Sequence, residues 1–576
     1  MREALAYLPP ALVAGRAWGF GVNLYALRSQ RNWGIGDFTD LCRFVRYARA
    51  AGADTVGINP VHALHYTLPE AASPYSPTSR YFLNPLYIDV EAVPEYRNSS
   101  TEATTLRERI ASPAFARMLG ELRSTATVAY GRVAAAKYPA FEALHGIFQN
   151  ASSERRAAFD DFCERRGRRL ERYATYEALG ERFAREGDGA RGWREWPAGY
   201  RDAGGPDVHA WAARNSQRVT YFKYLQWIAN EQLAAASSEA RSLAIGLYLD
   251  VAVGVDVDSA DVWSDPSAYV LEETIGAPPD ELGPLGQNWG LPPLDPGAML
   301  SDDGATFAEL LRSNMQHAGA LRLDHAMALM RLFRIPRGKL AGSGAYVPYP
   351  FDELLAIAAR ESVWARCLIV GEDLGTVPEG FRERMEREAI LSYRVLLFER
   401  EPDGRFRPPA AYPELSLATG TTHDVPTLAG WSIGRDVEAR ERAGMLSREA
   451  ADAALAKRHR DVSLLLETLN RHGELGAGAG DRLERTIAAR ALERSAYAPL
   501  IRAAHRYLAA SRSRLVLVQL DDAQCELEQV NLPGTSAEYP NWRRKSALDL
   551  DGIAGDADVA ALAYEVRARV KGSAPQ

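Results

Sequence analysis

The chain has 576 residues, 47% apolar and 25% charged, ordinary proportions for a globular protein but too long for one small domain. A formal net charge of −7 and a pI near 5.9 exclude nucleic acid as the main partner, since phosphate binding wants a basic surface. Cys42, Cys163, Cys367 and Cys525 lie far apart, with no CxxC and no zinc-like Cys/His spacing, which fits a reducing compartment.

The N-terminal MREALAYLPP is broken by Pro9 and Pro10 and lacks a signal-peptide apolar region. No stretch approaches the ~20 apolar residues of a membrane span. The chain reads as cytoplasmic, with no membrane partner. Short apolar, strand-like runs then recur at 18–27, 54–60, 243–253, 320–326, 367–374, 392–399, 418–424 and 513–522. Helical patterns intervene at 38–53, 306–320 and 351–365, the last beginning with an acidic turn as the helix dipole favours. Eight strands alternating with helices point to an α/β protein, a (β/α)8 TIM barrel.

The spacing is uneven. Residues 1–99 would carry the first two strands and a loop, and 100–240 an inserted, mostly helical subdomain rich in Arg, Ala and Glu. Its charge runs read as solvated helix faces. Residues 241–435 would carry strands three to seven and the active site, 436–512 a second helical insertion, and 513–576 the last strand and a C-terminal segment. GAGAGD (476–481) reads as a flexible turn; no strand precedes it and no Lys-Ser/Thr follows, so it is not a phosphate loop.

Three of these strands run into carboxylates: ALRLDHA into Asp324, LIVGEDLG into Glu372 and TGTTHD into Asp424. Residues just past the C-terminal strand ends of a barrel form its ligand site, so the three would share one cleft. Like charges held together disfavour ionisation, and such a cluster needs a metal or acid/base chemistry to use it. There is no HExxH, no His-x-His at a strand end and no EF-hand loop, and Asp256 and Asp258 read as a poor chelating pair. No metal and no cofactor are expected. Glycoside chemistry suits the acids better. It needs one group to protonate the leaving oxygen and another to meet the oxocarbenium-like centre. Asp324 sits between Arg322 and His325, cations that would keep a nucleophile ionised; Glu372 follows an apolar approach and adjoins Asp373, which would raise a general acid. Asp424, after His423, could bond sugar hydroxyls more strongly in the transition state. Two loops offer aromatic faces and polar groups suited to sugars: 72–90 with Ser73, Tyr75, Ser79 and Tyr81, and 276–296 with Asp280, Gln287, Asn288 and Trp289.

With these residues laid out, the chain closely resembles the amylomaltases, the 4-α-glucanotransferases of glycoside hydrolase family 77, almost end to end. The resemblance rests on GVNLYALRSQRNWGIGDFTDL (21–41), ASPYSPTSRYFLNPLYID (72–89), LYLDVAVGVDVDSADVW (247–263), GAPPDELGPLGQNWGLPP (276–293), LRLDHAMALMRLFRIP (321–336), GAYVPYPFDELL (344–355), GEDLGTVP (371–378), THDVPTLAGW (422–431) and VNLPGTSAEYPNWRRK (530–545). GQNWGLPP and PNWRRK are the most specific; residues 100–240 match only loosely.

The resemblance implies a barrel of the α-amylase clan with large helical insertions and no C-terminal β-sandwich. It implies retaining transfer of α-1,4-glucan segments between maltooligosaccharides or starch, with a hydrolase of the same clan as the alternative and a non-catalytic glucan-binding protein as the distant one. By motif it makes Asp324 the nucleophile, Glu372 the acid/base and Asp424 the transition-state stabiliser. It places Arg322, His423, Ser73, Tyr75, Asp258, Asp280, Gln287, Trp289 and Asn531 on substrate-binding positions, with the Trp289 loop arching over the glucan. Two departures stand out. The chain starts almost at its first strand, where longer bacterial relatives carry N-terminal domains, and His325-Ala326-Met327 replaces bulkier residues of some members, which is expected to alter acceptor binding. The sequence sets no oligomeric state.

Overall fold

The computed structural model describes residues 5–186, 192–279 and 286–572. Eight parallel strands close into a barrel: β1 Ala17–Val22, β2 Thr55–Ile58, β3 Gly246–Val251, β4 Ala320–Leu323, β5 Leu368–Gly371, β6 Leu391–Val395, β7 Ser416–Thr419 and β8 Leu515–Gln519. Each pairs with the next, and β8 returns to β1 with Ala17 opposite Leu515. The eight runs expected from the sequence are these eight strands, so the α/β barrel stands. Helices cover the outer face and side chains fill the inner one, so the strands are buried along nearly their whole length and read as continuous apolar runs.

Helix α1, Phe38–Ala51, follows β1. Asp37 caps it by accepting from the Asp40 amide, Gly52 ends it in the left-handed region at φ 80°, and Leu41, Phe44, Val45 and Ala48 form its buried stripe. Between β2 and β3 the chain makes a small hairpin, His62–Ala63 with Ser79–Leu83, and then a mostly helical insertion. Its longest helices are α2, Ser153–Glu186, bent at Gly167, and α3, Ser216–Ala240, which packs on both α2 and α1. The charged run on α2 is not simply a solvated face. The Arg169 guanidinium stacks 3.9 Å from the Tyr81 ring and pairs at 2.6 Å with Glu309 of helix α4, Ala305–Met315. The Arg155 guanidinium lies 3.7 Å from the Trp227 ring and pairs with Glu95 at 2.9 Å. Helical periodicity turns these arginines inward, where stem and head both find partners.

Helix α4 stops before the 320 expected of it. The Gly319 amide already donates to Leu247 O at 2.8 Å, and a Cβ there would lie 1.6 Å from Ile245 O, so barrel pairing claims this residue. Helix α5, Phe351–Ala365, carries Asp352 and Glu353 in its first turn as expected. An antiparallel sheet stands over the C-terminal ends of β3 and β4, ordered Ala345–Pro348, Arg331–Pro336, Glu273–Ala277, Gln287–Asn288. After β7 come α6, Leu428–Ser432, then Arg435–Arg442, Arg448–Arg471, Ala479–Ala488 and α7, Ala498–Ala509. The GAGAGD segment is not all turn: Gly478, at φ 66°, precedes a helix that starts inside it. Among the described residues no helix is long and apolar enough to cross a membrane.

Candidate active site

The C-terminal ends of β3, β4, β5 and β7 converge on one cleft. At its centre is Arg322, the third residue of β4, almost fully buried. Its Nη1 lies 2.9 Å from both oxygens of Asp250 on β3 and 3.0 Å from Oδ1 of Asp324, one residue beyond β4. Parallel pairing puts Asp250 directly beside Arg322 in register, so the ion pair is a product of barrel closure. Burial pushes the Asp250 carboxyl up, against the pull of Arg322. The Tyr75 hydroxyl donates to Asp250 Oδ2 at 2.6 Å, and its ring stacks on His423 with centroids 4.7 Å apart.

Glu372 follows β5 directly and is 8% exposed. Two backbone amides fix its oxygens: Leu374 N donates to Oε1 at 2.7 Å and His325 N to Oε2 at 2.9 Å. Burial raises its carboxyl to about 7; Arg322 and the amides oppose this, and the charge of Asp324 adds to it. The expected contribution of Asp373 is absent. That carboxylate turns the other way, accepting from the Tyr393 amide at 2.7 Å and pairing with Arg382 at 2.6 Å. His325 sits in the left-handed region at φ 46°, the backbone kink that delivers its amide to Glu372. Burial lowers its ring to about 4, so it is neutral at neutral pH.

Asp424 stands on the loop after β7, with 48% of its side chain open to solvent. Enclosure by the cleft walls acts against its charge. His423 Nε2 at 3.0 Å and the Asn531 amide, donating at 2.8 Å, outweigh that and hold the carboxyl at about 2. Asp424 in turn holds the His423 ring above its usual value despite burial.

The predicted residues thus fall into groups. Asp324, Glu372, Arg322, Tyr75, His423, Asp424 and Asn531 are linked through these contacts. Trp289 and Gln287 join from the side: the indole Nε1 donates to Gln287 Oε1 at 3.0 Å, and the indole meets the His325 ring edge-on at 5.1 Å. Ser73 lies on the Tyr75 loop, with no hydrogen bond from its hydroxyl to the acids among the described residues; its carbonyl accepts from Ser76 N at 3.3 Å. Asp258 is not with the trio; both its oxygens bind Arg194 at 2.8 Å beside the helical insertion. Asp280 lies outside the described residues. Ala326 and Met327 are each 2% exposed, so they pack into the core.

Two members were not singled out from sequence. Asp250 obeys the rule that found the other acids, a carboxylate closing an apolar strand, but LYLDVAV reads as one run continuing past it. Trp542, in the left-handed region at φ 59°, packs against both Tyr75 (5.4 Å) and His423 (5.2 Å). Its motif was quoted, yet nothing local says that it reaches Tyr75 and His423, each more than a hundred positions away.

Comparison with known proteins agrees with this fold. The family model described as 4-alpha-glucanotransferase, glycoside hydrolase family 77, matches residues 22–549. The chain is 40% identical over 558 residues to the 4-alpha-glucanotransferase of Haemophilus influenzae, covering 95% of this chain and 77% of that one. It is 36% identical over 582 residues to that of Mycobacterium tuberculosis, covering 97% and 76%. The crystal structure of amylomaltase from Corynebacterium glutamicum superposes with a TM-score of 0.83 at 31% identity, covering 96% of this chain and 76% of that one. The amylomaltase from Streptococcus agalactiae in complex with acarbose shares the fold, with a TM-score of 0.73 at 18% identity over 96% and 99% of the two chains. Barrel, cleft and sequence together place the protein in a family, and the chain belongs to glycoside hydrolase family 77, the 4-alpha-glucanotransferases.

Proposed function

We propose that this 4-alpha-glucanotransferase works by double displacement through a β-glycosyl-enzyme, with α-1,4-glucans as donor and acceptor. An Asp324 oxygen attacks the anomeric carbon as the glycosidic C–O bond breaks, and Glu372 gives its proton to the departing 4-oxygen. An acceptor 4-hydroxyl then attacks the same carbon, loses its proton to Glu372, and releases Asp324. Arg322 orients Asp324 and offsets its charge, while Asp424 with His423 engages sugar hydroxyls as the ring flattens. The observation that carries this reading is the contrast between the acids. Glu372 is raised to about 7 with both oxygens held by amides, so it keeps its proton up to about neutral pH and is aimed, whereas Asp424 is held at about 2 and stays ionised. Tyr75, Trp289, Gln287, Ser73 and Asn531 are assigned to the binding of the glucan, as is Asp280 by the resemblance alone; Asp258, bound to Arg194 away from the trio, is not. The acarbose complex of the Streptococcus agalactiae amylomaltase supports an α-glucan-shaped ligand for this cleft.

Asp324→Asn and Glu372→Gln should each abolish transfer and leave the thermal unfolding transition in place. Near-normal activity in either one sinks the assignment. Incubation with maltotriose separates transfer from the hydrolytic alternative. Disproportionation gives glucose and longer oligomers at constant reducing ends, whereas hydrolysis raises them.

A further inference from the structure

Asp424 is the most exposed of the three acids, and among the described residues two side chains hold its oxygens: His423, its neighbour, and Asn531. Its position is therefore set by the loop that carries it. That loop leaves β7 at Thr419 and enters α6 at Leu428, and one buried carboxylate grips both ends. Asp522, fully buried just after β8, accepts the Thr421 hydroxyl on Oδ2 at 2.5 Å and the Leu428 amide on Oδ1 at 2.8 Å. A Cβ on Gly420 would lie 3.2 Å from Asp522 Oδ2 and 3.4 Å from His505 Cε1, so the glycine lets carboxylate and ring close on the loop. The His505 ring is likewise fully buried; its Nδ1 bonds Ile501 O at 2.8 Å and its Nε2 has no hydrogen-bond partner among the described residues.

We infer that Asp522 is a positioning residue for the reaction: by clamping Thr421 and Leu428 it fixes the loop that presents Asp424 to the reacting sugar. The inference rests on the role given to Asp424 above. The same post-β8 segment also reaches the tip of the loop, where Asn531 N donates to His423 O at 3.2 Å and its side chain to Asp424. Base and tip of the loop are thus moulded by one stretch of chain. The carboxyl offers a separate oxygen to each donor, and an amide in its place cannot accept from both with equal geometry. Displacement of a transition-state group by about 1 Å is worth on the order of a hundredfold in rate.

The test measures kcat and KM for maltotriose disproportionation in Asp522→Asn, Thr421→Val, Asp424→Asn and the two pairings of these with Asp424→Asn. Asp522→Asn should lower kcat roughly 10- to 100-fold with KM within about twofold, the mark of an interaction made only in the transition state. Thr421→Val, nearly isosteric, should lower kcat in the same way by less. In the Asp424→Asn background, assayed at high enzyme concentration, neither should cost anything further, because the group they position is gone. Losses that multiply fully in that background overturn the proposal, since a general loosening of the fold does not depend on Asp424. An unchanged kcat in both single variants overturns it as well. Near-normal kcat in Asp424→Asn overturns instead the role of Asp424 on which the inference rests. If Asp522→Asn does not fold, the Thr421→Val pair decides.

Discussion

Replacing Asp324 by Asn should turn Glu372 from an acid into a base without touching Glu372. In the free enzyme burial and the neighbouring charge of Asp324 hold Glu372 at about 7, with Arg322 acting the other way. Asn keeps the shape of Asp and removes the charge. A retaining pair of carboxyls stands about 5–5.5 Å apart, so at an effective dielectric near 20 the repulsion is worth about 3 kcal/mol, or about two pH units. The sign is fixed: an anion next door disfavours ionisation, so its loss lets Glu372 ionise at lower pH. Arg322, released from Asp324, pushes in the same direction. At pH 6 the native carboxyl is mostly protonated and that of the variant mostly ionised. The glycosyl ester on Asp324 is just as neutral as Asn. The same drop therefore prepares Glu372 to take the acceptor's proton in the second half-reaction, with no further base required. NMR titration of 13C-carboxyl-labelled glutamate, assigned by difference with Glu372→Gln, reads the midpoint directly. A midpoint in Asp324→Asn equal to or above the native one refutes the reasoning.

Transfer by the native enzyme should fall as pH rises through about 7, where Glu372 loses the proton it must donate, and kcat/KM against pH checks this. Asp250→Asn leaves the buried Arg322 without its two 2.9 Å contacts to a charge; kcat/KM should drop about a hundredfold, as about 3 kcal/mol for one broken buried pair implies, and unaltered kinetics would remove Asp250 from the site. Asn531→Asp sets a second carboxylate where an amide now donates to Asp424 at 2.8 Å; like charges raise one another, so the acidic limb of the rate profile should move to higher pH. Glu177, 4% exposed in the helical insertion and with Oε1 unpartnered, is raised by burial from 4.5 to about 8. Its folded form binds the proton more tightly, so its contribution is complete below pH 4.5 and is lost as pH rises to about 8. Glu177→Gln should therefore gain up to about 5 kcal/mol relative to the native protein between pH 5 and pH 9 in urea unfolding, and parallel pH curves would refute it.

The barrel was legible because parallel strands buried on both faces must be apolar end to end, and eight such runs punctuated by helices leave few other folds. The three acids were legible for a related reason: a charge closing an apolar run can only sit where the strand meets the cleft. What stayed hidden depends on neighbours the chain does not announce. Asp250 matters because β3 lies beside β4 and brings it to Arg322. Asp373 looked like an influence on Glu372 through adjacency alone, but successive residues leaving a strand face opposite ways, and Arg382 takes it. Asn531 was read as a sugar ligand, and in the structure its amide is occupied by Asp424. Arg155 and Arg169 of α2 read as solvent-facing because no sequence pattern distinguishes a helix face covered by aromatic rings from one covered by water.

Barrel closure also has a consequence in time. β1 has no second neighbour other than β2 until β8 exists, and Leu515 is the partner Ala17 waits for. The clamp and the amide that fix Asp424, Asp522 and Asn531, are made later still. At about 5–20 residues per second of synthesis, the first strand stays an open edge on the ribosome for roughly half a minute to two minutes. The nascent chain thus cannot assemble a working cleft before β8, Asp522 and Asn531 are translated, and its unpaired first strands are where holding factors and misassembly compete for it.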